Sequence, residues 1–202
     1  MPVMSPTAAP PQEDRLYTWE EFLRMDFDES VELVEGRIVH MGWNNETHAM
    51  IIAWLIRVLG MWAERANWGW ILGGDAGILT KKDPDTTRGA DLIGISFGRH
   101  ARISPERKGK VVDVGPELIV EVVSPSNTWD DIQTKLAEYF ALGTNEIWVV
   151  GPNQKAITVY TAIDQPRVFT ADKDDVLTSI QLPEFELRVG EMGNLIDKLQ
   201  AS

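Results

Sequence analysis

Two acidic side chains lie inside segments whose other residues favour burial. Asp91 follows the start of ADLIGISF at 90–97, and Glu121 lies in the middle of ELIVEVV at 117–123. Burying an ionised carboxylate costs several kcal/mol unless a cation or a proton neutralises it. If the two strands are neighbours, their carboxylates repel each other, and a divalent cation between them would remove that repulsion. All-oxygen ligation suits Mg²⁺ or Mn²⁺ better than zinc.

The residues alone leave simpler roles open for both acids. Asp91 follows a turn-rich segment, so it could cap a turn. Glu121 could lie on an edge strand or form a salt bridge with an arginine.

Lys135 could supply a positive charge next to these acids. It lies in a predicted helix with a buried stripe of four apolar residues, Ile132, Leu136, Tyr139 and Phe140. Lys135 is on the border of that stripe, so its ammonium could reach inward. The alternative is a pair with Asp131 one turn earlier, with the lysine extending into solvent.

Glu32, His48 and the tryptophans are less decisive. Glu32, in VELVEG, could be a fourth site residue or a solvent-facing acid of a half-buried strand. His48 opens a predicted helix and fits a packed or capping residue better than a base. Trp54, Trp62 and Trp148 fall in apolar stretches, which favours the core over stacking on nucleic acid.

The segments that carry these residues predict a mixed sheet with helices. The predicted helices are 19–25, 46–66, 129–142 and 191–199. The predicted strands are a hairpin within 31–41, a weak strand at 77–80 between turns at 73–74 and 81–89, and strands at 90–97, 117–123, 145–150, 156–161 and 167–170. The order of strand, helix and strand between 118 and 150 indicates a parallel crossover unit.

Composition limits the classes of protein to consider. The 202 residues predict one domain at 15–202, after a proline-rich disordered leader at 1–14 without the pattern of a secretory signal. The net charge of −12 excludes a chain-wide attraction to nucleic acid. The absence of cysteine excludes thiolate chemistry and fits the cytoplasm. The apolar stretch at 50–62 is too short to span a membrane.

Positive charge is concentrated near the two central strands. Six basic residues surround them in the sequence: Arg88, Arg99, Arg102, Arg107, Lys108 and Lys110. They could form a local basic rim for phosphates, or they could lie in solvated loops.

Four segments carry a resemblance to a known family: VELVEGRI, RGADLIGIS, PELIVEVVSPSN and DIQTKLAEYFALGTNEIWVV. Their order and spacing over 17–197 resemble the Uma-type family of restriction endonuclease-like proteins, in the PD-(D/E)XK nuclease superfamily. The resemblance implies an α/β (α+β mixed) fold with a restriction-endonuclease-like core. That core is a mixed central β-sheet flanked by helices, with an N-terminal β-hairpin extension.

The resemblance also assigns positions within the motif. Asp91 matches the motif aspartate, although Ala90 replaces the usual proline. Glu121 matches the (D/E) position, whereas Val123 stands where the superfamily has its lysine. Lys135, in the following helix, takes the place of that lysine.

The chemistry that the resemblance implies is hydrolysis of DNA. Asp91, Glu121 and the Val122 carbonyl would bind Mg²⁺ or Mn²⁺, Lys135 would orient water or offset charge at phosphorus, and Glu32 would complete the metal shell or steer that water. A homodimer is expected because cutting both strands needs two sites. The alternatives are a non-catalytic binding or assembly protein with a nuclease fold, and an RNA or nucleotide phosphodiesterase.

Overall fold

The structure is a computed structural model that describes residues 15–125 and 127–201, so the predicted leader at 1–14 lies outside it. The helices of the described residues are α1 Trp19–Phe22, α2 Glu46–Arg65, α3 Phe97–His100, α4 Trp129–Leu142 and α5 Val189–Ala201. The strands are β1 Val31–Val34, β2 Arg37–His40, β3 Gly69–Lys81, β4 Thr86–Ser96, β5 Leu118–Val122, β6 Glu146–Gly151, β7 Ala156–Tyr160, β8 Pro166–Thr170, β9 Val176–Thr178 and β10 Glu186–Arg188.

Eight of the strands within these residues form one mixed, mainly antiparallel sheet. Their order is β2-β1-β4-β5-β6-β7-β8, and β3 pairs with β4 outside this path. β5 and β6 are parallel and α4 connects them, which confirms the predicted crossover unit. The predicted N-terminal hairpin is β1–β2, and its turn residues Glu35 and Gly36 have φ of 50° and 76°. The mixed sheet flanked by helices is confirmed.

Helices cover both faces of this sheet. α2 and α5 pack on one face, in a core that includes Leu55, Val120 and Met192. α4 packs on the other face, where Leu136 and Ile119 are buried. Each such aliphatic side chain contributes about 2 kcal/mol when it is removed from water. Within 15–125 and 127–201, no helix combines the length and the apolar composition that crossing a membrane requires.

The three tryptophans predicted for the core are buried there, which confirms the prediction. Trp54 and Trp62 lie on the inner side of α2, and Trp148 lies inside β6. The indole N–H of Trp62 donates to the carbonyl of Pro183, so a buried polar atom has a partner.

α4 has defined ends that set the rotation of its side chains. Thr128 and Asp131 form a capping box, in which each side chain accepts from the backbone N–H of the other. The helix stops at Gly143, whose φ of 95° favours glycine. Because the helix begins and ends at these residues, Lys135 and Tyr139 lie one turn apart and both face the sheet.

The prediction was partly right for the segment before β4. The predicted strand at 77–80 is part of the longer β3, and the turn predicted at 81–89 is confined to 82–85, between two long strands that form a hairpin. The turn predicted at 73–74 was wrong. β3 continues through the glycine pair at 73–74, and β4 begins at Thr86. Glycines in a strand often indicate a bulge instead of a turn. The short elements α3, β9 and β10 were not predicted, because so few residues show no periodicity.

A bulge interrupts β3 opposite one of the predicted site residues. Pairing with β4 stops at Gly73 and resumes at Ala76, so Gly74 and Asp75 are extra residues opposite Asp91. Their φ values are 77° and 57°, and positive φ is uncommon for a residue other than glycine. Bulges are typical of places where a strand redirects a side chain.

Candidate active site

A cleft of about 310 Å³ lies at the point where β4 and β5 separate. The ladder between these strands ends at Leu92 and Val120, and the next residues are Asp91 and Glu121. The chemistry-bearing side chains in its wall come from six different elements or their edges: Glu32, His48, Asp75, Asp91, Glu121 and Lys135. The four side chains predicted to be catalytic therefore meet in one cleft, although they are far apart in the sequence.

Lys135 points into this cleft and forms two ion pairs. Its Nζ lies 3.0 Å from Glu32 Oε1 and 3.5 Å from Glu121 Oε2. Burial lowers its pKa, but the two carboxylates outweigh burial, so the net pKa of Lys135 is raised. The alternative pair with Asp131 does not form, because that carboxylate accepts from Thr128. Lys135 is therefore a permanent buried ammonium.

Glu121 is mostly buried, with 15% of its side chain exposed, and it is crowded by other charges. The Tyr139 hydroxyl donates to its Oε1 at 2.6 Å, and Lys135 lies near its Oε2. Burial raises the pKa of Glu121 to about 7, and the charges of Asp91 and Glu32 act in the same direction. Lys135 and the Tyr139 hydroxyl oppose the rise without cancelling it. Glu121 is therefore a carboxyl that takes up or releases a proton near neutral pH.

Asp91 is held by the strand next to it. The backbone N–H of Val122 donates to Asp91 Oδ2 at 2.7 Å, and Nε2 of His48 lies 3.3 Å from the same oxygen. Asp75, in the bulge of β3, is on the other side of the cleft. Burial raises the pKa of Asp75, and the charge of Asp91 raises it further. Two acids and one histidine thus share this end of the cleft.

His48 reaches Asp91 from α2, and the sequence prediction of a packed residue missed this contact. The side chain is only 3% exposed, and its Nδ1 has no hydrogen-bond partner among the described residues. Burial lowers its pKa, but the hydrogen bond and charge of Asp91 outweigh burial and raise it. A signal existed: His48 precedes Ile51 and Leu55 at helical spacing, so a polar residue lies on the buried stripe.

Glu32 is buried, and it faces the cleft instead of the solvent. Arg88 Nη1 donates to its Oε2 at 2.9 Å, and the backbone N–H of Gly89 donates to its Oε1 at 3.1 Å. Arg88 also forms two hydrogen bonds of 2.7 Å with Glu138 of α4. A two-pronged contact of this kind fixes both partners. Arg88 therefore connects β1 to α4 across β4.

Half of the six basic residues near the two central strands form ion pairs within the fold. Besides the arginine just described, Arg99 pairs with Glu117 at 3.4 Å, and the largely buried Arg107 pairs with Asp113 at 2.7 Å. All three guanidinium groups therefore have carboxylate partners, and Arg88 also lines the cleft. Lys110 lines the cleft, and its ammonium has no ion pair within the described residues.

The donors in the cleft fit a hard divalent cation. Among residues 15–125 and 127–201, no three or more side chains of His, Asp or Glu are grouped in a way that could hold a metal ion. Mg²⁺ does not require such a cage, because it usually binds one or two carboxylates and keeps several waters. Asp91 and Glu121 supply two carboxylates, and Val122 adds a backbone carbonyl. Burial is the main cause of the raised pKa of Glu121 and the charge of Asp91 adds to it, and a cation beside both carboxylates would offset both effects.

Comparisons with known proteins agree with this architecture. The model of the Uma2 family, described as "Putative restriction endonuclease", matches residues 19–190. The chain is also similar to a crystal structure described as a putative nuclease belonging to DUF820 from Anabaena variabilis ATCC 29413. The TM-score is 0.75 at 16% identity, over 89% of this chain and 98% of that one. At this identity the similarity shows a shared fold. No curated protein matches the sequence.

Proposed function

Since this chain belongs to the Uma2 family, whose model is described as a putative restriction endonuclease, we propose that it hydrolyses phosphodiester bonds of DNA with Mg²⁺ or Mn²⁺. One observation carries the proposal. Glu32, Asp91, Glu121 and Lys135 converge in one cleft, with the lysine ammonium 3.0 Å and 3.5 Å from two of the carboxylates. Carboxylates with an adjacent cationic side chain are the components of metal-assisted phosphodiester hydrolysis.

The first role of the chain in this reaction is to hold the cation. Asp91, Glu121 and the Val122 carbonyl would be its ligands. When bound there, Mg²⁺ lowers the pKa of a water molecule and polarises a phosphate oxygen. The N–H of Val122 and Nε2 of His48 both lie on Oδ2 of Asp91, so they orient this carboxylate before any ligand arrives.

The second role is to place a positive charge beside the phosphate. Lys135 keeps its proton at neutral pH, so its ammonium can orient the attacking water or offset charge that develops on the phosphate. Glu32 acts through Lys135: it accepts from the ammonium and is itself held by Arg88 and Gly89. Glu32 is thus a positioning residue that also lies within reach of the metal shell or its water.

The proposal also covers the oligomeric state and the cellular compartment of the protein. A homodimer would bring two clefts to the two strands of a duplex, and light scattering of the purified protein tests this directly. The chain has no cysteine to be oxidised, which supports a reducing compartment such as the cytoplasm.

The test combines cleavage with metal binding. Wild type, Asp91→Asn and Lys135→Met are incubated with supercoiled plasmid and Mg²⁺, with Glu64→Gln, an exposed acid outside the cleft, as the control. Both cleft variants are expected to lose about 10²-fold to 10³-fold of the rate, while the control cleaves like wild type. Calorimetry with Mn²⁺ should show binding to wild type that Asp91→Asn loses.

Two results would overturn this proposal. If wild type neither binds Mn²⁺ nor cleaves, the protein is a non-catalytic relative with the same fold. If it cleaves RNA and leaves DNA intact, the substrate is wrong and the metal chemistry stands.

A further inference from the structure

Electrostatics alone do not explain how this protein would bind a polyanion. The net charge is −12, and four carboxylates line the cleft. Arg88 and Lys135 both form ion pairs inside the protein. Of the two lysines that line the cleft, Lys110 is the one without an ion pair among the described residues. Phosphate contacts from basic side chains normally supply most of the non-specific affinity for DNA. Another kind of contact must therefore contribute.

Three aromatic side chains lie on, or next in sequence to, the wall of the same cleft. Phe22, at the end of α1, lines it directly. Trp43 lies between Gly42 and Asn44, both of which line the cleft, and it is 90% exposed. Trp129, at the start of α4, follows closely after the lining residue at 127, and it is 60% exposed. Large apolar rings exposed together beside a functional cleft indicate a binding surface.

The other tryptophans show why these two stand out. Trp54, Trp62 and Trp148 are buried in the core. Trp70 is 51% exposed, but it contacts Phe97 edge to face at 5.3 Å and lies at the far end of the β3–β4 hairpin. In the described residues, neither tryptophan at the cleft mouth makes such a ring contact.

We propose that Trp43, Trp129 and Phe22 form an aromatic rim that stacks on the unpaired bases of single-stranded DNA. This inference rests on the proposed function, because the rim would deliver a strand to the acidic cleft. Every base has a flat π face, so stacking tolerates any sequence. In a duplex those faces are covered by neighbouring base pairs, so the rim selects strands or loops whose bases are free.

Fluorescence anisotropy tests the rim with four labelled probes in EDTA, so that the strand stays intact. The probes are a single-stranded DNA 12-mer, its duplex, a 12-mer with the same backbone in which all bases are absent, and an RNA 12-mer of the same sequence. Wild type should bind the single DNA strand about tenfold more tightly than the duplex or the base-free strand, and no more weakly than the RNA. Trp43→Ala and Trp129→Ala should each weaken that binding about tenfold. Trp43→Phe should recover most of it, and the matched control Trp70→Ala should bind like wild type.

The proposed rim is rejected if wild type binds the normal and the base-free strand equally well. It is also rejected if wild type binds the duplex, or an RNA 12-mer of the same sequence, more tightly than the single DNA strand. Unchanged affinity in both alanine variants would reject it as well. Gel filtration gives a further check: a wild-type dimer that Trp43→Ala converts to a monomer would assign the rings to an interface between two copies of the chain.

A small substrate separates this inference from the proposed function. Wild type is assayed for Mn²⁺-dependent hydrolysis of bis(4-nitrophenyl) phosphate, a diester without nucleobases. Hydrolysis without any preference for free bases would reject the rim and keep the nuclease. A preference for free bases without hydrolysis of this diester or of DNA would reject the nuclease and keep the rim.

Discussion

Glu117 and Glu121 lie four residues apart on one strand segment, yet their surroundings differ. Glu117 receives the N–H of Ser96 at 3.0 Å and its hydroxyl at 2.6 Å, and Arg99 lies 3.4 Å away. Glu121 is about as buried as Glu117, but among the described residues its close donor is the Tyr139 hydroxyl, Lys135 lies 3.5 Å away, and it faces other carboxylates. The first acid has partners of its own, and the second depends on charge that arrives from elsewhere.

This difference distinguishes a structural acid from a functional one. Hydrogen-bond donors and a guanidinium stabilise an ionised carboxylate within the fold. Burial beside other acids leaves a carboxyl whose pKa is raised to about 7, so it binds a proton or a cation. Residue type does not separate the two acids, whereas their partners do.

The largest effect expected is on catalysis. Glu121→Gln keeps the size of the side chain but removes a proposed metal ligand, so the proposed Mg²⁺-dependent plasmid cleavage should fall about 10²-fold to 10³-fold. Glu117→Gln at the other end of the strand should cleave within a few-fold of wild type. Equal losses in the two variants would show that the comparison reflects stability and not function.

The pH dependence of the free energy of unfolding should also differ between variants at these two positions. In the metal-free protein, Glu121 has a pKa raised to about 7 against a usual value of 4.5, so the folded state keeps a proton that the unfolded chain releases between these values. The free energy of unfolding should therefore fall by about 3 kcal/mol as pH rises from 4.5 through 7.

Urea denaturation at pH 5 and pH 8 measures this change. Glu121→Gln should reduce the pH slope by the contribution of this carboxyl, and Glu117→Gln should retain the full slope. His48, whose pKa is also raised, should contribute to the slope that remains in Glu121→Gln. A wild type that becomes more stable over this range, with the slope unchanged in Glu121→Gln, would contradict the prediction.

A smaller effect is expected for the residues that orient the acids. His48→Ala removes a side chain that lies on Asp91, so Mn²⁺ affinity measured by calorimetry should fall about 10-fold to 100-fold. His48→Gln, which can still donate, should recover part of the loss. Ser96→Ala removes a donor to Glu117 and should cost about 1 kcal/mol of stability without changing Mn²⁺ affinity. Full Mn²⁺ affinity in His48→Ala would refute a role for His48 in orienting Asp91.

Much of the site could be predicted because local patterns determined it. The segment around Glu121 is apolar on both faces, so a central strand and a buried charge followed directly. Gly143 predicted where α4 ends, and the position of Lys135 on the border of its apolar stripe predicted an inward reach. The adjacency of β4 and β5 then brought Asp91 beside Glu121.

The contacts that were missed depend on tertiary packing. Glycines at 73–74 favour a turn, and only the long pairing of β3 with β4 makes them a bulge. Arg88 could be read as a free basic residue until α4 placed Glu138 beside it. His48 lies on a helix in another layer of the fold, so its contact with Asp91 cannot be inferred from any short stretch of the sequence.

The guanidinium of Arg88 also determines when the wall of the cleft can be completed during synthesis of the chain. It joins a carboxylate 56 residues before it to one 50 residues after it. A nascent or prematurely terminated chain that lacks α4 has neither Glu138 nor Lys135. The charged wall of the cleft is therefore incomplete until most of the polypeptide has been made.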